Sequence, residues 1–282
     1  MMRIKFKLVV LALCTIFLLL QITGCSKAPE KSPAKDKKGA SEQENAPKEL
    51  EDIQTNIEEI ITDIEKKNEF AQDPQKDQTE NQKDSSNEQK KSGDDKAQEK
   101  QPKSKENPLT NWQKEEKSAR DIHLKWNTAE TSVVKVDITN TLRNEFENNL
   151  NFLTDNIISK NINESLKSAN ELYGTTIKIN ELYKNNDVPR VEILKYYTKR
   201  ALLEVEESKW PEAKEDIKKL ATEVEKVNLI MDKKENKLLL QLDYSVHDFL
   251  QAVEINNKEV AKIKGEIVMK NINSVIKKIA KE

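Results

Sequence analysis

From residue 109 onward, apolar side chains recur three and four positions apart along almost the whole remaining chain, and little interrupts them. Leu142, Phe146, Leu150, Leu153 and Ile157 form one such row, and Leu239, Leu242, Val246, Phe249 and Val253 another. A period near 3.6 puts each row on one face of a helix, whereas a half-buried strand alternates. Residues 109–282 hold two glycines, Gly174 and Gly265, and two prolines, Pro189 and Pro211. A β-sandwich or barrel needs many more turn formers. The rhythm therefore predicts an all-α domain. Its ~170 residues suffice for one core burying about 70% of the unfolded surface.

Read in order, the rows predict seven helices. The first spans about 109–130 on Ile122, Trp126 and Ala129, with Val133 and Val136 continuing the rhythm through a β-branched stretch that also suits a strand. The second spans about 139–159. The third runs to about 184 on Leu166, Ala169, Tyr173, Ile177 and Asn180. A fourth covers about 188–208 on Val191, Leu194, Tyr197 (or Tyr196), Ala201 and Val205, with Pro189 tolerated in its first turn. After Trp210-Pro211 a fifth takes Ala213, Ile217, Leu220, Val224 and Val227. The last pair, about 234–255 and 258–281, turns at Asn256-Asn257. Its second member is expected to bury Val260, Ile263, Ile267, Ile272, Val275 and Ile279. One helix running straight through Asn256 is the alternative.

Turns at 161–163, 210–211 and 256–257 fall 46 to 50 residues apart. Three helical hairpins in series is the simple reading. They are expected to close as antiparallel hairpins into an up-and-down bundle, the alternative being a short α-solenoid.

Before residue 109 the chain changes character. Residues 26–108 are rich in Lys, Glu, Asp, Gln, Ser and Asn, and Phe70 is their only aromatic. Such a composition cannot offset the entropy of ordering, so a mostly disordered tether is expected over 25–108. One island stands out. Leu50, Ile53, Ile57, Ile60 and Ile64 step by three and four, predicting an amphipathic helix over about 47–68. At ~20 residues such a helix is marginal alone and needs a partner. The folded domain, a second copy in a short coiled coil, and the membrane surface are the choices, so self-association through these five residues is one expectation.

The first residues read as an export signal. Arg3, Lys5 and Lys7 precede an apolar run, Leu8 to Ile22, broken by Thr15 and Gln21, and small Thr23 and Gly24 lead into Cys25. The set Ile22-Thr23-Gly24-Cys25 resembles the lipobox of bacterial membrane lipoproteins. That resemblance implies a signal peptide over 1–24, cleavage between Gly24 and Cys25, and a diacylglycerol on the Cys25 sulfur, with palmitate-class acyl chains. It also implies anchoring at the extracytoplasmic face of a membrane, inner or outer. A plain secretory signal or a retained membrane helix are the rival readings of the same residues.

Chemistry is sparse elsewhere. The chain has 48 Lys plus Arg against 50 Asp plus Glu, and this balance argues against a nucleic-acid partner. Cys14 would leave with the signal peptide and Cys25 would carry lipid, so no disulfide or thiolate nucleophile is expected. Asp243 and His247 lie one turn apart on a predicted helix, too few ligands for a metal site. His123 reads as a structural ring. Trp112 and Trp126, 14 residues apart, share a face of one helix and read as core packing rather than a glycan platform. No phosphate-binding glycine loop and no nucleophile elbow occurs in the sequence. The expectation is a non-catalytic, lipid-anchored helical binding or scaffold protein of the bacterial envelope, without cofactor, meeting another envelope protein or a cell-wall component. The alternative is a solute- or metal-binding accessory lipoprotein of a transporter or envelope enzyme, with a polar pocket near His247 and Tyr244.

Overall fold

A computed structural model describes residues 45–72, 107–136, 138–183, 188–231 and 237–279. The lipobox at 22–25 and most of the expected tether lie outside the described residues. Among these residues there are eight α-helices and no strand. They are α1 (Lys48–Gln72), α2 (Gln113–Val133), α3 (Asn140–Ile158), α4 (Ile162–Asn180), α5 (Val188–Glu206), α6 (Trp210–Ile230), α7 (Lys237–Glu254) and α8 (Lys258–Ile279). A 3-10 turn, Val134–Val136, takes up the β-branched stretch after α2.

The described helices form an up-and-down bundle. α1 and α2 run antiparallel, because Lys67 meets Glu115 at one end and Lys125 meets Asp52 at the other. α2 and α3 do the same, with His123 on Thr154 and Glu130 on Arg143. α4 returns along both α3 and α1, where Asn149 reaches Thr175 and Asn180 reaches Gln54. The second four helices repeat the pattern, α5 on α6, α6 on α7 and α7 on α8. α8 then packs back on α5, its Lys258 and Lys262 both pairing with Glu206. That return closes a ring of four helices, where a solenoid would stay open. α4 lies against α5, and one hydrophobic core runs through all eight helices.

Three of the turns are copies of one motif. Lys160, Ser208 and Asn256 take left-handed φ values of 55°, 59° and 53°, at a spacing of 48 residues each time. In each, the left-handed residue donates three residues back and the next donates five back, as in Lys160 N to Ile157 O and Asn161 N to Asn156 O. This is the Schellman stop, which satisfies the last carbonyls of a helix. Asn161 and Asn257 then cap the next helix, accepting from Glu164 N and Val260 N. Repeated stop-and-cap turns make the hairpins.

The seam of α1 is used inside the chain. Leu50, Ile53, Ile57 and Ile64 are fully buried, and Ile60 nearly so, against α2 and α4. Polar contacts reach α5 as well: Gln54 donates to Glu192 at 2.6 Å, and Lys195 and Lys199 pair with Glu58 and Glu65. The packed core thus includes α1, upstream of residue 109. Lys67 fixes where the chain re-enters. Its ammonium pairs with the buried Glu115 at 3.1 Å, donates to the carbonyls of Pro108 and Asn111, and lies 5.3 Å from the Trp112 ring.

One expected seam differs. α8 buries Ala261, Gly265, Val268, Ile272 and Val275, while Val260, Ile263 and Ile267 are 36%, 56% and 42% exposed. The helix carries two apolar rows, and the period alone does not say which faces in. The small row wins because it lets α8 approach α5: a Cβ on Gly265 would sit 2.5 Å from the Leu202 side chain. Between the two candidates on α5, Tyr196 is buried and Tyr197 is only partly so.

Candidate interaction surface

The sequence candidates settle into structural roles. Trp126 stacks on Phe146 with ring centroids 3.9 Å apart, and Trp112 lies buried beneath Lys67. Both indoles belong to the core. His123 shares a hydrogen bond with Thr154 at 3.0 Å, and burial lowers its pKa. Asp243 accepts from Asn228 at 3.0 Å, whereas His247 and Tyr244 stand exposed on the outer side of α7. Among the described residues, no group of three or more His, Cys, Asp or Glu is placed to hold a metal.

The densest charge cluster joins α4, α5 and α6. Arg200 holds the buried Asp216 at 2.6 Å through Nε and donates from Nη1 to the Tyr196 hydroxyl at 2.7 Å. That hydroxyl donates in turn to Glu171 at 2.9 Å. Glu204 faces Asp216 from α5, and burial together with the Asp216 charge pushes its carboxyl up to about 8. Buried, perturbed carboxylates are often functional. Here, however, the guanidinium is engaged on three helices, and Asp216 is 1% exposed. The cluster is a joint between helices.

Two concavities are lined largely by charges that pair with their neighbours. A shallow depression of about 450 Å³ at the meeting of α1 and α2 is lined by Asp63, Lys66, Lys67, Lys114 and Glu115. Its charges pair with one another, Lys114 on Asp63 at 2.6 Å. A cleft of about 310 Å³ between α4, α5 and α6 is lined by Lys178, Glu181, Arg190, Tyr197, Glu223 and Lys226. Lys178 pairs with Glu145 and Lys226 with Glu223.

The outer face of the α7–α8 hairpin is different in kind. Val260, Ile263 and Ile267 follow one another along the solvent side of α8. On the described helices, three exposed large apolar residues at helical spacing occur on α8 alone. Asp248 pairs with Lys264, and Asn271 reaches Gln241 and Ser245, which sets the register of the hairpin. In that register Ile255 lies at the turn end beside Val260, and Tyr244, 72% exposed, lies level with the stretch after Ile267. Single exposed apolar residues are ordinary, but a lined-up set is a mark of contact with something else. This face was hidden in the sequence because its row was indistinguishable from a core seam. The signal that distinguishes it is the competing small row, Ala261 and Gly265. Comparison with protein-family models, with curated proteins and with solved structures finds no match.

Proposed function

We propose that the chain is a non-catalytic, lipid-anchored binding or scaffold protein of the bacterial envelope, held at an extracytoplasmic membrane face through Cys25. It meets its partner with the outer face of α7–α8. The observation that carries the binding part is the exposed row Val260, Ile263 and Ile267 on a helix whose opposite side is fully engaged. The anchor rests on Ile22-Thr23-Gly24-Cys25 and the basic and apolar run before it. Two acyl chains, at ~0.8 kcal/mol per buried CH2, give lasting attachment.

Two measurements test this reading separately. Mass spectrometry of the mature N-terminus should find Cys25 first and diacylated, and a free thiol there removes the anchor. Crosslinking in intact envelopes should give an adduct that Ile263→Asp with Ile267→Asp abolishes. Adducts unchanged by that pair remove the surface.

A further inference from the structure

Taking the α7–α8 face as a contact surface, we infer that its partner is a second copy of this chain, with α8 paired antiparallel on α8 about a two-fold axis. A two-fold interface must be self-complementary, each residue type meeting its counterpart. α8 meets that requirement. An axis level with residue 265 sets Ile263 against Ile267 of the partner copy, twice. Glu259 and Lys270 flank the apolar row on one edge, three helical turns and about 20° apart. Both are exposed and without an ion pair of their own among the described residues. The same axis carries Lys270 to within a residue of the other copy's Glu259, and the reverse. The edge of α8 that faces α7 is already neutral, because Lys264 is held by Asp248 at 2.6 Å.

Size fits a reversible pair. A helix of 22 residues is about 33 Å long, and a two-helix face about 20 Å wide, on the order of 600 Å². A standard stable interface buries ~800 Å² per partner. The dimer is therefore concentration-dependent, of the kind that copies crowded in one membrane would populate.

Sedimentation equilibrium of the full chain in density-matched detergent reads the association directly. A reversible monomer–dimer equilibrium is expected, abolished by Ile263→Asp with Ile267→Asp at unchanged helical circular dichroism. Glu259→Lys alone or Lys270→Glu alone should weaken the dimer about tenfold, since each breaks two symmetric rim pairs. The double exchange should return it to within about threefold of the parent. All four positions are outside the core, so folding is preserved. A monomer at every concentration overturns the inference, as does a dimer indifferent to these changes or a double exchange that does not restore it. Binding to phosphatidylglycerol vesicles through the two isoleucines by a monomeric chain overturns it too. In those cases an envelope adduct lost on Ile263→Asp with Ile267→Asp would still uphold the contact surface, with a different occupant.

Discussion

Glu204 shows how far one side chain's surroundings can set the pH response. Its carboxyl is raised from 4.5 to about 8 by burial and by Asp216, with Arg200 pulling the other way. A raised carboxyl favours folding in its protonated form. Its contribution is complete below the unfolded value near 4.5 and is lost as pH rises through about 8. Denaturant titrations should find stability falling between those limits, and Glu204→Gln should flatten the profile and raise stability at the alkaline end. Asp216, Arg200, Tyr196, Glu171, Lys219 and Glu212 all face this cluster and stay in place in that variant. Backbone strain gives a second residue-scale outcome. Ser208 sits at φ 59°, a conformation that costs a side-chain-bearing residue roughly 1–2 kcal/mol. Ser208→Gly should stabilise by about 1 kcal/mol in urea unfolding, and Asn256→Gly by less, since Asn tolerates that region. Gly174→Ala should go the other way. Its Cβ would lie 2.7 Å from the Tyr196 ring, which Glu171 and Arg200 hold in place. Overpacking of about 1–3 kcal/mol then exceeds the ~1 kcal/mol gained in helix propensity.

At the scale of elements, most of the architecture was legible. The rows on α3, α5, α6 and α7 point inward as their period says, because each has one apolar face and one charged one. The three hairpin turns were legible to within a few residues, Trp210 and Pro211 opening α6 rather than forming its turn, although the stop signals are Lys, Ser and Asn where glycine would be usual. On α8 the expected row faces inward only in its second half, at Ile272 and Val275, while Val260, Ile263 and Ile267 face out, for a physical reason: hydrophobic size is not what its neighbour α5 selects. Close approach is, and Ala261 and Gly265 supply it. The polar cluster of α4, α5 and α6 was not legible either. Glu171, Arg200 and Asp216 lie on three helices, and only packing brings them together. α1 is the element whose partner the sequence left open. Its seam is buried against α2 and α4, and Ile57→Ala should cost about 2–5 kcal/mol. Lys67→Ala should cost about 3–5 kcal/mol, because it strands the buried Glu115 carboxylate. Lys67→Met with Glu115→Leu should recover most of that loss in the same unfolding assay.

For the whole molecule, two closed rings of four helices share one core through α4 and α5, with α1 reaching across to α5. α4 is wrapped by α1, α3 and α5, and this explains why it buries Ser165, Asn170, Thr175 and Thr176 alongside its apolar residues. Each of the last three finds a partner: Asn170 donates to Tyr196 O, Thr175 accepts from Asn149, and Thr176 donates to Leu172 O. A shared core predicts one unfolding transition. Circular dichroism and the fluorescence of Trp126 in α2 and Trp210 in α6 should report the same midpoint, although the two indoles sit in different rings.

The clasp at Lys67 has a consequence for how the molecule is held in place. In sequence, residues 73–106 connect the end of α1 to the start of α2, where Lys67 grips Pro108 and Asn111. Were a protease to cut that connection, α1 would remain seated by its isoleucine row and by ion pairs on α2 and α5. On the anchored reading, lipid and α1 are then one fragment and α2–α8 another. The mooring of the cut protein would be a noncovalent joint. Its strength would be the docking free energy of a single helix, and whatever loosens α1 would cast the rest adrift.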